Sequence, residues 1–309
     1  AALTARAAAG GLTLDASGLR RAGEALQVLD EAALYATLGL HLPAVEQRCG
    51  AASLIPLEQP APRLVEREDL RGALHNHTVA SDGAHTLTQM QAAAAARGLG
   101  YLGISDHSVS AAYARGLESH RLLAQAAEIK SISSKSCALM SGVESDILQD
   151  GSLDYPSEVL GALEVVIASV HTRYQQGREA ETLRMVRAAR NPWTDVVGHP
   201  TGRLVLGRAP NDFDVDALLD ACAESGCAVE LNASPQRLDL EVEHLKGARA
   251  RGVKVSIAAD AHRADGLDVL RFGVAAARRA GLGPGDVLNC LPLPELRAWL
   301  GARKARARA

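Results

Sequence analysis

Six of the ten histidines in this 309-residue chain lie in short motifs that each end an apolar run. The sharpest motif is His75-Asn76-His77, which is followed by Asp82-Gly83. Because side chains alternate along a strand, a His-x-His pair at a strand end places both imidazoles on one face. Asp82 adds a carboxylate oxygen on the turn that follows. This pattern predicts a metal site.

Further imidazoles and carboxylates follow the later apolar runs in the same way. They are His107, Glu144, His171, His199, Asp260 and His262. With the first motif they make a set without thiolates, which favours Zn, Mn or Fe. The set is larger than one ion needs, so we predict two to three divalent metals with positions open for water and substrate. We assign catalytic roles to Glu144, as the bridging ligand, and to His107 and Asp260, in a metal-assisted hydrolysis at a phosphoryl centre.

Seven apolar runs suited to buried strands alternate with Ala-rich helical stretches. The runs lie at about 72–76, 100–105, 137–144, 164–171, 195–199, 228–232 and 253–259. The helical stretches lie at 86–97, 112–127, 178–190, 215–225 and 241–251. This alternation predicts a parallel α/β barrel, in which the carboxyl ends of all strands meet at one face. The predicted ligands would therefore converge at that face.

The chain outside the barrel has a different pattern. Residues 1–45 have helical spacing, at Leu19–Leu29 and Glu31–Leu38, and residues 46–70 contain three prolines and read as a linker before a barrel at 71–309. Ala1 to Arg6 resembles the middle of a helix, so the chain is expected to be part of a longer protein.

Composition and charge narrow the class of protein. No apolar run is long enough for a membrane span. The five cysteines lack CxxC spacing and are odd in number, so we expect a reducing cytoplasm. A net charge of −3 gives no general case for nucleic acid binding. The basic segment Arg303–Arg308 is interpreted as a solvated terminus.

Five further residues are expected to support the chemistry. Asp106 is expected to point away from the ligands and, with Glu230 and Asn232, to orient them from outside. Arg173 and Arg203 follow strand ends and are candidates for binding phosphate through the planar guanidinium group, with a surface salt bridge as the alternative.

Other polar residues have simpler explanations. His41, His120 and His244 are interpreted as ordinary surface or core histidines, and His85 as the start of the following helix. The segment Asp212-Phe213-Asp214-Val215-Asp216 resembles the paired carboxylates of a nucleotidyl transferase. It precedes an Ala/Leu-rich helix, so helix capping explains it better.

The nine predicted ligands together resemble those of the PHP (polymerase and histidinol phosphatase) superfamily. Residues 198–204, 229–235 and 258–262 are similar to the C-terminal PHP domain of bacterial family X DNA polymerases. Residues 31–40 resemble the end of the thumb in that family. The resemblance implies a distorted (β/α)7 barrel with a trinuclear metal centre, preceded by a small helical thumb remnant.

For function, the resemblance implies a manganese-dependent 3′–5′ exonuclease that acts in DNA repair. An abasic-site endonuclease activity accompanies it in some members. DNA would be the partner, and the polymerase's catalytic carboxylates would lie in upstream domains, so this chain is not expected to synthesise DNA. Two alternatives are a histidinol-phosphate-type small-molecule phosphatase and a non-catalytic PHP scaffold.

Overall fold

The computed structural model describes residues 1–48, 54–132, 136–172 and 176–308. It contains two compact units, Ala1–Leu64 and Val65–Ala309. The first unit comprises α1 (Ala2–Ala9), β1 (Leu12–Asp15), β2 (Gly18–Arg21), β3 (Glu24–Ala25) and α2 (Glu31–Thr37). Its three strands form an antiparallel sheet in the order β1-β2-β3. The helix predicted over Glu31–Leu38 is therefore confirmed as α2.

The prediction of a helix over Leu19–Leu29 was wrong. This segment forms β2 and β3, which are joined by a turn at Ala22 and Gly23 with φ of 51° and 87°. Positive φ at both turn residues is the geometry of a tight hairpin whose twist matches that of its strands. Leu19 has its side chain buried in the core of this unit. Apolar spacing was compatible with both structures, and the turn decided between them.

The second unit is a nearly closed barrel of seven parallel strands, as predicted. The strands are β4 (Gly72–Ala73), β5 (Tyr101–Ile104), β6 (Ala138–Asp146), β7 (Val165–Ser169), β8 (Val196–Val197), β9 (Ala228–Asn232) and β10 (Val255–Ala258). They pair in chain order from β4 to β10, and every pairing is parallel. All seven predicted runs contain a strand.

Helices pack around the barrel and across the end at which its strands begin. They are α3 (Leu87–Ala96), α4 (Ser119–Ser131), α5 (Ser157–Leu160), α6 (Arg178–Arg190), α7 (Val215–Ser225), α8 (Val242–Ala250), α9 (Leu270–Arg279) and α10 (Leu293–Arg308). The predicted start of a helix at Ala112 was wrong, because a single 3₁₀ turn there ends at Arg115 and Gly116, and α4 begins only at Ser119. Within the described part of the chain, no helix combines the length and apolar character that crossing a bilayer requires.

A buried asparagine joins the first and last strands of the barrel. The Asn289 side chain accepts a hydrogen bond from the Ile257 amide at 3.0 Å and donates to the carbonyls of Ile257 at 2.9 Å and Gly72 at 2.8 Å. One side chain thus replaces a backbone ladder between β10 and β4.

We therefore expect Asn289→Ala to lower the free energy of unfolding by roughly 3 kcal/mol, because it leaves buried strand groups without partners. Denaturant unfolding measures the loss. Asn211→Ala is the matched control, since the half-buried Asn211 makes no side-chain hydrogen bond to the described residues. If both variants lost the same free energy of unfolding, the hydrogen bonds of Asn289 would not be what joins β10 to β4.

Helix α10 covers the end of the barrel at which the strands begin, opposite their carboxyl ends. Leu296 and Leu300 pack in one buried cluster with inward-facing strand residues. Arg303 donates to the carbonyl of Ser225 at 2.6 Å, and Lys304 donates to the carbonyl of Leu163 at 2.6 Å. Both basic side chains are buried. The interpretation of this segment as a solvated terminus was therefore wrong for these two residues, which bind backbone carbonyls at the end of α7 and in the segment before β7.

Candidate metal centre

All nine predicted ligands converge at the carboxyl ends of the barrel strands. His75 and His77 follow β4, Asp82 lies on the next loop, His107 follows β5, Glu144 lies in β6, His171 follows β7, His199 follows β8, and Asp260 and His262 follow β10. Parallel pairing in chain order is what brings them to one face.

Glu144 lies at the middle of this cluster and is fully buried. Its Oε1 atom is 2.9 Å from Nε2 of His199 and 3.3 Å from Nε2 of both His75 and His171. Its Oε2 atom is 2.9 Å from Nδ1 of His107. One carboxylate therefore contacts four imidazoles through its two oxygens, which is the arrangement a bridging ligand requires.

The donor atoms form four overlapping groups, in each of which all atoms lie within 4.8 Å of one another. The groups are His77, Asp82, His107 and His262; His75, His77 and Asp260; His75, Glu144 and His199; and His107, Glu144 and His171. Each group shares residues with its neighbours. Overlap of this kind suits closely spaced ions that share ligands.

The donor atoms are better placed to bind a cation than to form hydrogen bonds with one another. In the described structure, His75 Nε2, His77 Nδ1 and Glu144 Oε2 are buried without a hydrogen-bond partner. Burying polar atoms in this way is costly unless something compensates them. His107 Nδ1 and Glu144 Oε2 approach to 2.9 Å, yet neither has a partner of acceptable hydrogen-bond geometry. Imidazoles and carboxylates arranged in this way match the donor set of Zn or Mn.

The electrostatics of the cluster also favour positive charge. Burial by itself would lower the pKa of His171, but Glu144 and Asp146 outweigh it and raise that pKa to about 10. Burial likewise opposes ionisation of Glu144, yet His171, His75 and His107 hold its pKa well below the usual value. Burial lowers the pKa of His77 to about 4, so this imidazole is neutral and has a lone pair available at neutral pH.

Glu230 and Asn232 lie directly behind the ligands. Glu230 Oε2 is 2.7 Å from Nδ1 of His75, and its Oε1 accepts a hydrogen bond from the His199 amide at 3.2 Å. The side-chain amide of Asn232 donates to Glu230 at 3.0 Å and to Asp260 at 3.1 Å. These contacts turn Nε2 of His75 towards Glu144, as an orienting role requires.

Asp106 points away from the ligands. Its carboxylate accepts hydrogen bonds from the Thr78 amide at 2.7 Å, from the Ser81 hydroxyl at 2.5 Å and from Gln125 Nε2 at 2.6 Å. It thereby anchors the loop that carries Asp82.

Similarity to known proteins shows the family to which this chain belongs. No family model matches the chain. The chain is 37% identical over 280 residues to the DNA polymerase/3′-5′ exonuclease PolX of Bacillus subtilis (strain 168), a match that covers 90% of the chain and 49% of that protein. It is 30% identical over 231 residues to a probable phosphatase of Thermoanaerobacter sp. (strain X514), covering 70% of the chain and 88% of the phosphatase. The chain belongs to the PHP superfamily.

The match to PolX shows which members of the PHP superfamily the chain resembles. The chain spans about half the length of PolX, and the match is longer than the second unit alone, so it includes part of the first unit. The resemblance to the PHP domain of a family X polymerase is confirmed. A solved structure shares the fold, with a TM-score of 0.52 at 19% identity, covering 69% of this chain and 94% of the other. It is the histidinol phosphate phosphatase HISK from Lactococcus lactis, complexed with zinc, L-histidinol and phosphate.

Asp146 is a supporting residue of this PHP barrel that the sequence analysis missed. Its Oδ1 atom hydrogen-bonds Nδ1 of His171. The available signal was the spacing of Glu144 and Asp146, which puts both carboxylates on the same face of β6. Asp146 thus does for His171 what Glu230 does for His75.

We expect Asp146→Asn to reduce metal affinity or hydrolytic activity about 10- to 100-fold, because outer partners fix the ring and basicity of a ligating histidine. Bound metal is measured by mass spectrometry after dialysis. Asp150→Asn is the control, since Asp150 is exposed and, among the described residues, its side chain hydrogen-bonds only Ser152. A wild-type metal content and rate in Asp146→Asn would show that His171 needs no such partner.

The predicted phosphate-binding arginines have different outcomes. Arg173 lies outside the described residues. Arg203 donates to the carbonyl of Arg237 at 2.8 Å and contacts Glu241, so it braces the loop after β9, and its role in phosphate binding stays a prediction. Arg237 itself, which the sequence analysis did not single out, has its Nε atom 3.8 Å from Asp260.

Arg237 also borders open space beside the metal centre. Together with Asp260 and His262 it lines an open cleft of about 710 Å³. Its Nη1 atom is buried without a hydrogen-bond partner in the described structure. Arg237 thus brings a positive charge to the wall of the cleft, which favours an anionic ligand there.

The simpler explanations hold for the remaining residues. Asp214 caps α7, with its side chain accepting a hydrogen bond from the Ala217 amide at 3.1 Å. Asp212 forms an ion pair with Arg178 of α6, and Asp216 forms one with Arg251, which directly follows α8. His41, His120 and His244 do not take part in the donor groups of the described residues, and His85 lies directly before the N-cap of α3.

Proposed function

We propose that this PHP domain is a metal-dependent phosphodiesterase that removes nucleotides from DNA 3′ ends, within a family X polymerase that acts in DNA repair. The convergence of nine donor residues, with Glu144 in their midst, is the observation that carries the proposal. Support for a phosphoester substrate comes from the related probable phosphatases, and support for DNA comes from the similarity to the DNA polymerase/3′-5′ exonuclease PolX.

Two to three divalent metals would be held by the four donor groups, with Mn serving activity and Zn also suiting the donors. When bound, such ions activate water and neutralise charge on a phosphoryl group. Glu144 would bridge, with His107 and Asp260 beside it. Asp146 and Glu230 would hold the ligand histidines in orientation, and Arg237 would bind a phosphate oxygen.

The partners follow from the same proposal. DNA repair intermediates would be the substrates, with abasic-site cleavage as an accompanying activity, in the cytoplasm. A chain with net charge −3 has little general attraction for DNA. Upstream polymerase domains of a longer parent chain would contribute much of the affinity for DNA.

Digestion of a 5′-labelled DNA primer with Mn, Zn or EDTA tests the proposed function. We expect a Mn-dependent ladder that shortens from the 3′ end and disappears in His107→Ala. His120→Ala is the control, because His120 is exposed and lies outside the donor groups.

Two results would contradict the proposal. Intact DNA together with rapid hydrolysis of histidinol phosphate would identify a small-molecule phosphatase. Failure on both substrates, with metals demonstrably bound, would favour a non-catalytic scaffold.

A further inference from the structure

An exposed aromatic side chain lies beside the proposed metal centre. Tyr113 is 72% exposed. Its ring centroid is 6.1 Å from the ring of His107 and 6.3 Å from that of His171, both predicted metal ligands. Aromatic residues make up only 3% of the chain, so the core uses few of them, and this one is left at the surface next to the site.

The loop that carries Tyr113 is anchored on both sides. Ala111 and Ala114, which flank the tyrosine, are buried. The Ser110 amide and hydroxyl donate to Asp154 at 2.7 and 2.6 Å. A loop held in this way presents the ring over the centre at little further cost in conformational entropy.

Other exposed apolar side chains lie on loops at the same end of the barrel. Val79, on the loop after β4, is 46% exposed, and Leu206, on the loop after β8, is fully exposed. Val79 stands between the buried Thr78 and the half-buried Ala80, whereas Leu206 lies within a fully exposed stretch at 205–210. The carboxyl end of the barrel therefore has apolar contact points around a polar centre.

We propose that Tyr113 is the stacking platform for the terminal nucleobase of the substrate, and that it selects nucleotide ends over phosphate esters that lack a base. This inference deepens the proposed function and rests on it. The metal donors and Arg237 would hold the phosphate, which leaves the base to extend towards the rim of the site. Aromatic faces stack on any base, so such a contact gives affinity without sequence preference.

The phenol hydroxyl adds nothing to this contact in the described structure, where it makes no hydrogen bond. The ring itself is therefore the part that acts. Phenylalanine should substitute for tyrosine, and alanine should not.

Two primers of one sequence test the inference, one ending in a normal nucleotide and one in a tetrahydrofuran residue that lacks the base. We expect the wild type to cleave the normal end with a kcat/KM about tenfold higher, in line with the strength of aromatic–base stacking. Tyr113→Ala should lose this preference by slowing only on the normal end, while Tyr113→Phe should keep it. Leu123→Ala, which removes an exposed apolar side chain on α4, should also keep it.

Tyr113→Ala overturns the inference if it slows both ends equally, which indicates a structural role, or if it slows neither. A second measurement does not depend on DNA cleavage: the Mn-dependent binding of dAMP and of 2-deoxyribose 5-phosphate, by calorimetry. A tenfold preference for dAMP that disappears in Tyr113→Ala would support stacking even if DNA were not cleaved, in which case only the proposed function fails. Cleavage of DNA without any such preference would overturn the stacking role alone.

Discussion

Replacement of Glu144 by glutamine should lower phosphodiester cleavage by about a thousandfold or more and reduce bound metal at the same time. Glu144 belongs to two of the four donor groups and contacts four imidazoles. A bound ion contributes several kcal/mol of charge stabilisation in the transition state, and each 1.36 kcal/mol corresponds to about tenfold in rate. Glutamine keeps the shape of the side chain but loses the negative charge that a bridging ligand needs.

Steady-state kinetics on labelled DNA and metal analysis of the same sample check this expectation. Glu164→Gln is the matched control. Glu164 directly precedes β7 at the opposite end of the barrel, where it bonds the Ser141 amide and Arg297. If Glu144→Gln retained both metal and activity, the bridging role would be wrong, whatever the effect of the control.

Mn or Zn should raise the thermal unfolding midpoint of the metal-free protein by about 5–10 °C for each site filled. An ion that binds only the folded state at a hundred times its dissociation constant stabilises by about 2.7 kcal/mol. In a domain of this size each kcal/mol shifts the midpoint by about 2–4 °C. Differential scanning calorimetry with EDTA and then with added metal measures the shift, which should largely disappear in Glu144→Gln.

The rise in the thermal unfolding midpoint that Mn or Zn causes should become larger as the pH rises from 6 to 8. In the metal-free protein the pKa of His171 is raised to about 10 and that of His262 to about 9. Protonation of these groups stabilises the folded state fully below the ordinary histidine pKa of about 6.5, and that stabilisation is lost as pH rises towards 9 to 10. Metal competes with protons for the same atoms, so its binding strengthens over the same range. A metal effect independent of pH would exclude these histidines as ligands.

The positions of the barrel strands could be predicted because buried parallel strands leave a clear mark in the sequence. Each of the seven appears as a short apolar run, and the alternating helices leave few other topologies. Once the strands are ordered, the nine donors at their carboxyl ends must meet. Local signals were weaker where turns decided the structure, as at Gly23 in the first unit and Gly116 before α4.

Contacts between side chains distant in sequence were the hardest to predict. Arg203 carries the same charge as Arg237, and only packing shows that the former supports the loop on which the latter borders the cleft. The spacing of Asp146 from Glu144 indicates a shared face of β6, but only packing shows that Asp146 contacts His171.

The sequence alone determined the barrel and the nine residues that gather at one end, because periodicity and strand-end position are properties of the chain read in order. Only the tertiary structure decided which carboxylate supports His171, which arginine borders the cleft and which aromatic ring is left exposed beside it. Those outcomes depend on distances of a few ångströms between loops far apart in the chain, where burial and hydrogen bonding select among residues of the same chemical type.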